Sequence, residues 1–351
     1  MRIGITYDLK ANIPPSSGLP DDFQEEFDSP VTIEALACVL RDLGHEVILL
    51  GNGRELLKKL LSSPPDFVFN IAEGQGISRS REARVPAILE MLNIPHTGSD
   101  PLTLAVTLDK SCAKRLAQAA GIAIPKGLII PPGQSIASLR QLIKASPGSI
   151  PLPAILKPAW EGSSKGIRNR CLVDQLEDIP KVVEQLRRDH RQPVLVEEFI
   201  EGDELTVGVI GNEKPRIVGI MRVVPAQATK RFVYSLEVKR DYLRQVRYEC
   251  PPDLPPTVMS RIEQATLQVF QALECRDVAR VDFRLRDGVP YFLEVNPLPG
   301  LNPESSDLVI LAKGFGWTYA QLIESIVRAA LERQQKLNVG PSCLADKLSV
   351  V

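Results

Sequence analysis

Three side chains that could bind a metal ion lie close together near the end of the sequence: Asp282, Glu294 and Asn296. Carboxylate and amide oxygens are ligands that Mg²⁺ accepts, and the ion is usually held by one or two carboxylates while phosphates and water complete its coordination. The set therefore indicates a metal ion that bridges to a polyphosphate. Ordinary solvated charges on an exposed hairpin are the alternative interpretation.

The residues around this set predict a β-hairpin, because apolar and polar side chains alternate before and after Asp287-Gly288. Alternation would turn the following apolar residues inward: Val281, Phe283, Leu285, Tyr291, Leu293 and Val295. The polar residues, together with Arg280, would share the opposite face only if the connecting loop has an odd number of residues, for example 286–288. A strict two-residue turn would place Asp282 and Glu294 on opposite sides of the sheet.

A second group of residues could bind phosphates. Lys157 ends a predicted strand, and the loop 160–166 that follows has backbone amides and serine hydroxyls that can surround anionic oxygens. Lys110, on a predicted helix, could supply another cation. Neither G-x-x-x-x-G-K-[ST] nor a G-x-G-x-x-G that follows a strand is present, so the two commonest nucleotide cradles are excluded. A flexible surface loop is the alternative for 160–166.

The composition excludes several classes of protein. Lys and Arg total 42 against 43 Asp and Glu, so no long-range positive field would attract nucleic acid or an anionic membrane. The six cysteines form no C-x-x-C pair, and only three histidines are present, which argues against a Ser-His or Cys-His nucleophile. Because we find no signal core and no apolar run that could span a bilayer, we expect a cytoplasmic protein with no nucleic-acid or membrane partner.

The elements that must position these residues fall into three parts. Strand and helix patterns alternate over the first part, which predicts an open α/β unit with parallel strands. We predict an N-terminal Rossmann-like domain over 1–100, a central lobe over 101–192, and a C-terminal lobe with the metal site over 193–351. The predicted helices are 32–43, 54–61, 102–120, 175–188, 257–273, 308–314 and 319–332. The predicted strands outside the hairpin are 3–7, 46–50, 66–71, 154–157, 193–200, 204–210 and 216–223.

Taken in order, these segments resemble the D-alanine-D-alanine ligase family of ATP-grasp enzymes. The resemblance extends over nearly the whole chain and includes 94–99, Leu108-Asp109-Lys110, the loop 157–166, the hinge 197–207 and the hairpin 280–300. It implies an α/β and α+β protein with the ATP-grasp fold, in which two lobes clasp the nucleotide. The implied reaction is phosphoryl transfer from ATP to a carboxylate, followed by attack of an amine on the acyl phosphate.

The resemblance assigns ATP and metal residues position by position. ATP would be held by Lys110, Lys157, Ser163, Ser164, Glu197, Phe199, Glu204 and Lys239. Within that set, Glu197 and Phe199 would read adenine and Glu204 would hold the ribose hydroxyls. Asp282, Glu294 and Asn296 would bind two Mg²⁺ ions, which Mn²⁺ could replace.

The resemblance also assigns residues to catalysis and to the second substrate. Arg280 and the backbone of Gly300 would stabilise the tetrahedral intermediate. Ser163 belongs to the loop that closes over the phosphates, and Lys239 lies on a mobile loop that reaches the γ-phosphate. Ser305 would hold the carboxylate of the second substrate.

Three departures from the family pattern affect the amino-acid pocket. The G-E-D-G-x-x-Q element of the family is absent after Glu73-Gly74. Arg240 replaces the tyrosine that usually follows the mobile-loop lysine, with Tyr242 as a possible substitute. Lys165 adds a cation to the Gly-Ser loop, beside the expected reaction centre.

The amino-acid substrates are therefore less defined by sequence than ATP is. Glu25 falls where the family glutamate orients the first amino acid, but Glu26 and Asp28 are close competitors, and a solvated acidic turn is the alternative for each. D-alanine on both sides is the leading hypothesis. A ligase for another amino acid or small carboxylate, and a non-catalytic ATP-binding relative, are the alternatives. The resemblance also implies small-molecule partners and a homodimer.

Overall fold

The computed structural model describes residues 1–11, 18–146, 148 and 150–339. The N-terminal unit has a parallel three-stranded sheet in the order β2-β1-β3, as the alternating pattern predicted. Its elements are β1 (Arg2–Thr6), α1 (Pro30–Asp42), β2 (Glu46–Gly51), α2 (Gly53–Ser62), β3 (Phe67–Asn70) and α3 (Arg84–Met91).

Local sequence determines where helix α1 begins and ends and which of its faces is buried. Ser29 caps its first turn by accepting a hydrogen bond from the Thr32 amide, and Pro30 supplies a preset φ angle at the first helical position. Ile33, Leu36, Ala37 and Leu40 recur at helical spacing and are buried against the sheet. Gly44 follows the helix with a φ of +84°, which turns the chain into β2.

The central part contains a four-stranded antiparallel sheet in the order β4-β7-β5-β6. Its elements are α4 (Pro101–Leu108), α5 (Lys110–Ala119), β4 (Gly127–Ile130), α6 (Ile136–Ala145), β5 (Ala154–Pro158), β6 (Leu172–Val173), α7 (Ile179–His190) and β7 (Val194–Glu198). The single helix predicted over 102–120 is wrong. Asp109 accepts hydrogen bonds from the amides of Ser111 and Cys112, so it caps α5 and separates it from α4.

The C-terminal part contains a five-stranded antiparallel sheet in the order β10-β9-β8-β11-β12. Its elements are β8 (Asp203–Gly211), β9 (Arg216–Pro225), α8 (Leu236–Arg240), α9 (Tyr242–Gln245), β10 (Val246–Glu249), α10 (Pro256–Ala272), β11 (Asp277–Arg286), β12 (Val289–Asn296), α11 (Asp307–Gly314) and α12 (Tyr319–Val339).

Sheet membership bears on the division between the two lobes. Strand β7 pairs with β4 and β5, which both belong to the central sheet. The boundary predicted at residue 193 would separate this strand from its partners. A division by sheets falls after Glu198.

Two large apolar clusters connect the parts, and a third lies within the central part. The largest joins the N-terminal sheet and α1 to α11, α12 and one face of the C-terminal sheet. A second packs α5 and α10 on the other face of that sheet, and a third covers the central sheet with α6 and α7. None of the helices in the described part of the chain combines the length and the apolar character that a membrane span requires.

Candidate active site

The hairpin of β11 and β12 places Asp282 directly opposite Glu294. Its turn consists of Asp287 and Gly288, whose φ angles are 53° and 72°. Two consecutive positive φ angles are typical of a type I′ turn, which joins strands with two residues. The odd loop predicted from sequence is therefore wrong, and in a regular ladder this turn would separate the two carboxylates.

A β-bulge in β12 restores the shared face. Phe283 pairs with Phe292 whereas Asp282 pairs with Glu294, so Leu293 is the extra residue on its strand. The bulge also corrects the prediction of which side chains of β12 face inward. The buried ones are Pro290, Phe292 and Val295, and Tyr291 and Leu293 are only half-buried.

Asp282 is held by two neighbours on this face. Arg280 Nη2 donates to its Oδ2 at 3.0 Å, and Thr206 Oγ1 donates to its Oδ1 at 2.8 Å. Burial raises the pKa of Asp282; the charge of Glu294 adds to this effect and Arg280 opposes it. A cation placed between the two carboxylates would relieve their repulsion.

Glu294 faces Lys110 of α5, whose Nζ lies 2.9 Å from Glu294 Oε2. Burial tends to raise the pKa of Glu294, but the charge and hydrogen bond of Lys110 outweigh it and hold the pKa well below its usual range. Asn296, opposite Arg280 in the register, adds an amide oxygen that accepts from the Leu298 amide at 3.1 Å. Two carboxylates and one amide fit Mg²⁺ when phosphate and water supply the other ligands.

A cleft between the central and C-terminal sheets opens beside Asp282 and Glu294. Six of the predicted ATP residues line it: Lys157, Ser164, Glu197, Phe199, Glu204 and Lys239. Ser163 lines the adjoining cavity, and Lys110 lies behind Glu294. The structure therefore brings the predicted nucleotide residues to one place, from four separate segments of the chain.

Glu197 lies at the buried end of this cleft between two lysines. Lys157 Nζ is 2.5 Å from its Oε1, and Lys114 Nζ is 3.0 Å from its Oε2. Burial tends to raise the pKa of Glu197, but the two lysines lower it, while burial lowers the pKa of Lys114 to about 8. An ionised Glu197 only accepts hydrogen bonds, which suits an exocyclic amino group such as that of adenine.

Glu204 and Phe199 are organised by Arg284, which sequence reasoning missed. Its Nη1 donates to Glu204 Oε2 at 2.8 Å, and its guanidinium lies 4.5 Å from the centre of the Phe199 ring. Burial raises the pKa of Glu204, against the opposing charge of Arg284. The Arg284 side chain therefore fixes one wall of the cleft.

The loop 160–166 has an uncommon backbone conformation at the mouth of the cleft. Ser163 and Ser164 have φ angles of 49° and 58°, in the left-handed region that residues with a Cβ seldom adopt. Ser164 Oγ donates to the Tyr234 carbonyl at 3.2 Å, and Lys110 donates to the Glu161 carbonyl. The loop is thus tied to α5 on one side and to the segment before α8 on the other.

Four buried charged side chains join this loop to the N-terminal unit: Glu26, Arg81, Glu161 and Lys165. Lys165 Nζ lies 2.9 Å from Glu26 Oε1 and 2.6 Å from Glu161 Oε2. Arg81 Nη2 lies 2.9 Å from Glu26 Oε2 and 3.2 Å from Glu161 Oε2. Lys165 was predicted to place an extra cation beside the reaction centre, but its charge is neutralised within this cluster.

A second cavity adjoins the cleft, between the N-terminal unit and the C-terminal sheet. The predicted residues that line it are Glu25, Ser163, Lys239, Tyr242, Arg280, Asn296, Gly300 and Ser305, together with the competing candidates Glu26 and Asp28. Asp307 lines both this cavity and the cleft. It accepts a hydrogen bond from the Tyr234 hydroxyl at 3.1 Å and lies 3.8 Å from both Lys239 Nζ and Arg280 Nη1.

The candidates for the first amino acid have different surroundings. Glu25 pairs with Arg240 at 2.8 Å, and Arg240 also pairs with Asp21 at 2.7 Å. Burial raises the pKa of Asp28 to about 7, with the charge of Asp8 adding to the effect. Glu26 belongs to the buried cluster, so Asp28 is the candidate without an ion-pair partner among the described residues.

Other predicted substrate residues make contacts within the protein. Ser305 Oγ donates to Asn302 Oδ1 at 3.0 Å, and the Tyr242 hydroxyl lies 3.5 Å from the Glu304 carbonyl. Burial raises the pKa of Glu73, a further carboxylate of the cavity, and Glu82 and Glu26 add to this effect.

Several residues of the site were not identified from the sequence. Lys114 could have been identified, because it lies four residues after Lys110 and therefore on the same face of a helix. Arg81 and Glu161 become recognisable only when the N-terminal unit is packed against the loop. Asp307 follows Ser305 by two residues, but its position between two cavities depends on where α11 begins.

Comparison with known proteins identifies the family. Residues 116–328 match the family model described as the D-ala D-ala ligase C-terminus. A D-alanine–D-alanine ligase of Aquifex aeolicus is 33% identical, over 84% of this chain and 93% of its own length. An uncharacterized protein, y4sG, of Sinorhizobium fredii is 32% identical, over 86% of this chain and 87% of its own length.

Solved structures show the same fold. A crystal structure of D-alanine–D-alanine ligase from Bacillus anthracis, complexed with ATP, superposes with a TM-score of 0.70 at 22% identity and covers 96% of this chain and 99% of the other. The VanG D-Ala:D-Ser ligase of Enterococcus faecalis gives a TM-score of 0.68 at 20% identity, over 94% and 99% of the two chains. The ATP-grasp fold predicted from the resemblance is confirmed.

The sequence match and the fold agree with the cleft in which lysines and carboxylates converge, and an ADP-forming ligase is the activity that they support. This chain belongs to the D-alanine-D-alanine ligase family and is an ATP-dependent ligase with the ATP-grasp fold.

Proposed function

We propose that this ligase joins two D-alanine molecules, and so supplies a peptidoglycan precursor from the cytoplasm, where ATP is available. The observation that carries the proposal is the meeting of the two cavities. The cleft with the predicted ATP residues opens into the cavity with the predicted amino-acid residues, and Tyr234, Lys239 and Asp307 line both. A carboxylate in one cavity would therefore lie close to the terminal phosphate of a nucleotide in the other.

The first step transfers the γ-phosphoryl group of ATP to a carboxylate oxygen of the first amino acid and releases ADP. Lys110, Lys157 and Lys239 would offset the negative charge on the phosphates, and the amides of Ser163 and Ser164 would donate to their oxygens. Two Mg²⁺ ions, or Mn²⁺, bound by the hairpin carboxylates and Asn296 would supply further neutralisation of the transferring group.

In the second step the amine of the second amino acid attacks the carbonyl carbon of the acyl phosphate. The C–N bond forms, the C–O bond to phosphate breaks, and phosphate leaves while the amine loses a proton. Arg280 and the Gly300 amide would stabilise the oxyanion of the tetrahedral intermediate. Glu25 would orient the ammonium of the first amino acid, and Ser305 would bind the carboxylate of the second. Arg240 and Tyr242 would close the pocket from α8 and α9.

A ligase for a different second substrate is a second candidate. Asp307 places a carboxylate within the cavity close to Arg280, and the Ser305 hydroxyl is engaged by Asn302. Both features weaken the attraction for the carboxylate of a second alanine. An acceptor with another side chain or with an additional amine would fit this balance of charge better.

Release of ADP and phosphate, together with product mass, tests both candidates. The protein with Mg-ATP is given single and paired D- and L-amino acids, including D-alanine, D-serine and a basic D-amino acid. Equal amounts of ADP, phosphate and D-alanyl-D-alanine with D-alanine alone would support the first candidate. Turnover only with another acceptor would support the second, and no turnover with any amino acid would contradict both.

We also propose a homodimer, because the family resemblance implies one. Sedimentation at micromolar concentration should give twice the mass of the 38.7 kDa chain. A single species with the mass of one chain would contradict this proposal.

A further inference from the structure

Residues on both sides of the strained serine pair are anchored to another part of the molecule. Ser163 and Ser164 are in the left-handed region of φ, which a free loop of this sequence would seldom populate. Glu161 precedes the pair and Lys165 follows it, and both bind Glu26 of the N-terminal unit directly or through Arg81. The loop is therefore held at two points by groups that lie outside its own lobe.

The cluster is closed to water and balanced in charge. Exposed fractions are 9% for Glu26, 1% for Arg81, 5% for Glu161 and 6% for Lys165. Two cations face two carboxylates, so the charges of these four side chains balance. Burial tends to lower the pKa of Lys165, but the two glutamates raise it. Burial tends to raise the pKa of Glu161, but Arg81 and Lys165 lower it. The charges of Arg81 and Lys165 therefore favour the ionised form of Glu161, and the two glutamates favour that of Lys165.

Hydrogen bonds extend this cluster along the loop backbone. Arg81 Nη1 donates to the Trp160 carbonyl at 2.7 Å. Gln192 Oε1 accepts a hydrogen bond from the Trp160 amide at 2.6 Å, and Gln192 Nε2 donates to Glu161 Oε1 at 2.7 Å. The first two residues of the loop are thus fixed at both backbone and side chain.

We propose that Glu26, Arg81, Glu161 and Lys165 form a clamp between the N-terminal unit and the loop, and that this clamp positions Ser163 and Ser164 over the ATP phosphates. The proposal rests on the ATP-dependent ligase activity and not on the identity of the amino acids. These four are positioning residues, because they act through the loop backbone. The clamp keeps the loop closed, and it therefore keeps water from the acyl phosphate once that intermediate has formed.

The clamp predicts a specific defect when it is weakened. Lys165→Met alone leaves an unbalanced carboxylate, so the double variant Glu26→Gln with Lys165→Met is the main test, because it removes one charge of each sign. We expect its Kd for Mg-ATP, measured by calorimetry, to rise roughly 10- to 100-fold, as a misplaced positioning element would cause. Hydrogen exchange in 160–166 should become faster, while the rest of the protein keeps its exchange pattern.

A second readout is the ratio of phosphate to amide product. Water that reaches the acyl phosphate returns the free carboxylate and phosphate, so the variant should release more than one phosphate for each amide bond formed. The single variant Lys165→Arg keeps the positive charge. Its Kd for Mg-ATP and its ratio of phosphate to amide product should therefore match those of wild type. Met in place of Lys58, whose ion pair with Glu55 is exposed, is the matched control and should behave as wild type.

The outcomes separate this proposal from the proposed substrates. If wild type forms no product from D-alanine, ATP affinity and loop exchange still test the clamp. If the double variant only melts at a lower temperature, with unchanged ATP affinity, coupling and loop exchange below its melting point, the four residues are merely structural and the proposal is wrong.

Discussion

At the scale of single residues, the site depends on two carboxylates whose protein partners are all donors or cations. Asp282 and Glu294 lie opposite each other, and Arg280 and Lys110 occupy the sides that face the protein. A carboxamide in place of either carboxylate would keep the shape but remove a ligand charge. We expect Asp282→Asn and Glu294→Gln each to lower kcat at least about 100-fold, since charge stabilisation of a transferring group is worth that much.

The hairpin itself offers the control for this prediction. Asp287→Asn changes an exposed turn residue with positive φ, a conformation that asparagine also accepts, and should leave kcat unchanged. Circular dichroism and thermal melting should show all three variants folded. Turnover close to wild type in Asp282→Asn would show that this residue does not bind the metal.

A second residue-scale prediction concerns pH. Burial raises the pKa of Asp28 from 3.8 to about 7. Between these values the folded protein binds more protons at Asp28 than the unfolded chain does, so this residue makes the free energy of unfolding fall as pH rises through that range. Asp28→Asn removes the effect. The free energy of unfolding of the variant minus that of wild type, measured by urea unfolding, should therefore be larger at pH 8 than at pH 5.

The exposed Asp253→Asn variant controls for the loss of one carboxylate. Its stability relative to wild type should not change between the two pH values. A pH-independent difference for Asp28→Asn would mean that Asp28 is ionised in the folded protein throughout this range.

At the scale of elements, alternation of side chains predicted the hairpin but not its geometry. Asp282 and Glu294 meet because a bulge at Leu293 offsets a two-residue turn. A bulge adds one residue to a strand without an obligatory sequence signal, so periodicity alone could not reveal it. The break between α4 and α5 was easier to predict from the sequence, because aspartate is a favoured N-cap residue and Asp109 caps α5.

The contacts of Arg240 with another element also explain why its loss should change the free energy of unfolding only slightly. It joins α8 to Asp21 and Glu25, but 37% of its side chain and 66% of that of Asp21 are exposed. Ion pairs of this kind contribute about 0 to 1 kcal/mol and are screened by salt. We expect Arg240→Ala to lower the free energy of unfolding by no more than about 1 kcal/mol.

Steady-state kinetics would test the same variant in the site. Its KM for the amino acid should rise only a few-fold, and the difference from wild type should shrink in 0.5 M salt, which shortens the Debye length to a few ångströms. Arg247→Ala, which removes another exposed pair on β10, is the control. A large loss of kcat that persists in high salt would show that Arg240 contacts the substrate directly.

At the scale of the whole molecule, the order of motifs predicted the family and the fold, because ATP-binding segments from both lobes occur in the expected sequence. Contacts between parts were not predictable in this way. Residues far apart in the chain, such as Glu26 and Lys165, carry no local pattern that links them. The sheet to which β7 belongs is a second example, since β7 pairs with strands that precede it in the chain and no local pattern indicates this pairing.

One buried carboxylate joins the distant parts of the fold. Asp277, at the start of β11, accepts hydrogen bonds from the Gly98 amide at 2.8 Å and from Arg333 of α12 at 2.7 Å and 3.1 Å. Arg333 also donates to the His96 carbonyl at 2.9 Å. The N-terminal unit, the C-terminal sheet and the last helix therefore meet at a single ion pair in which Asp277 is fully buried.

We expect Arg333→Met to destabilise the protein by about 3 to 5 kcal/mol, because it leaves the buried charge of Asp277 without its cation. Met in place of Lys336, one turn further along α12, removes an exposed pair with Glu213 and should leave the free energy of unfolding almost unchanged. Urea unfolding measures both. Combining Arg333→Met with Asp277→Asn should recover part of the loss, since neither charge then remains. If Arg333→Met and Lys336→Met were equally mild, Asp277 would not need a cation, and this ion pair would not be what holds the three parts together.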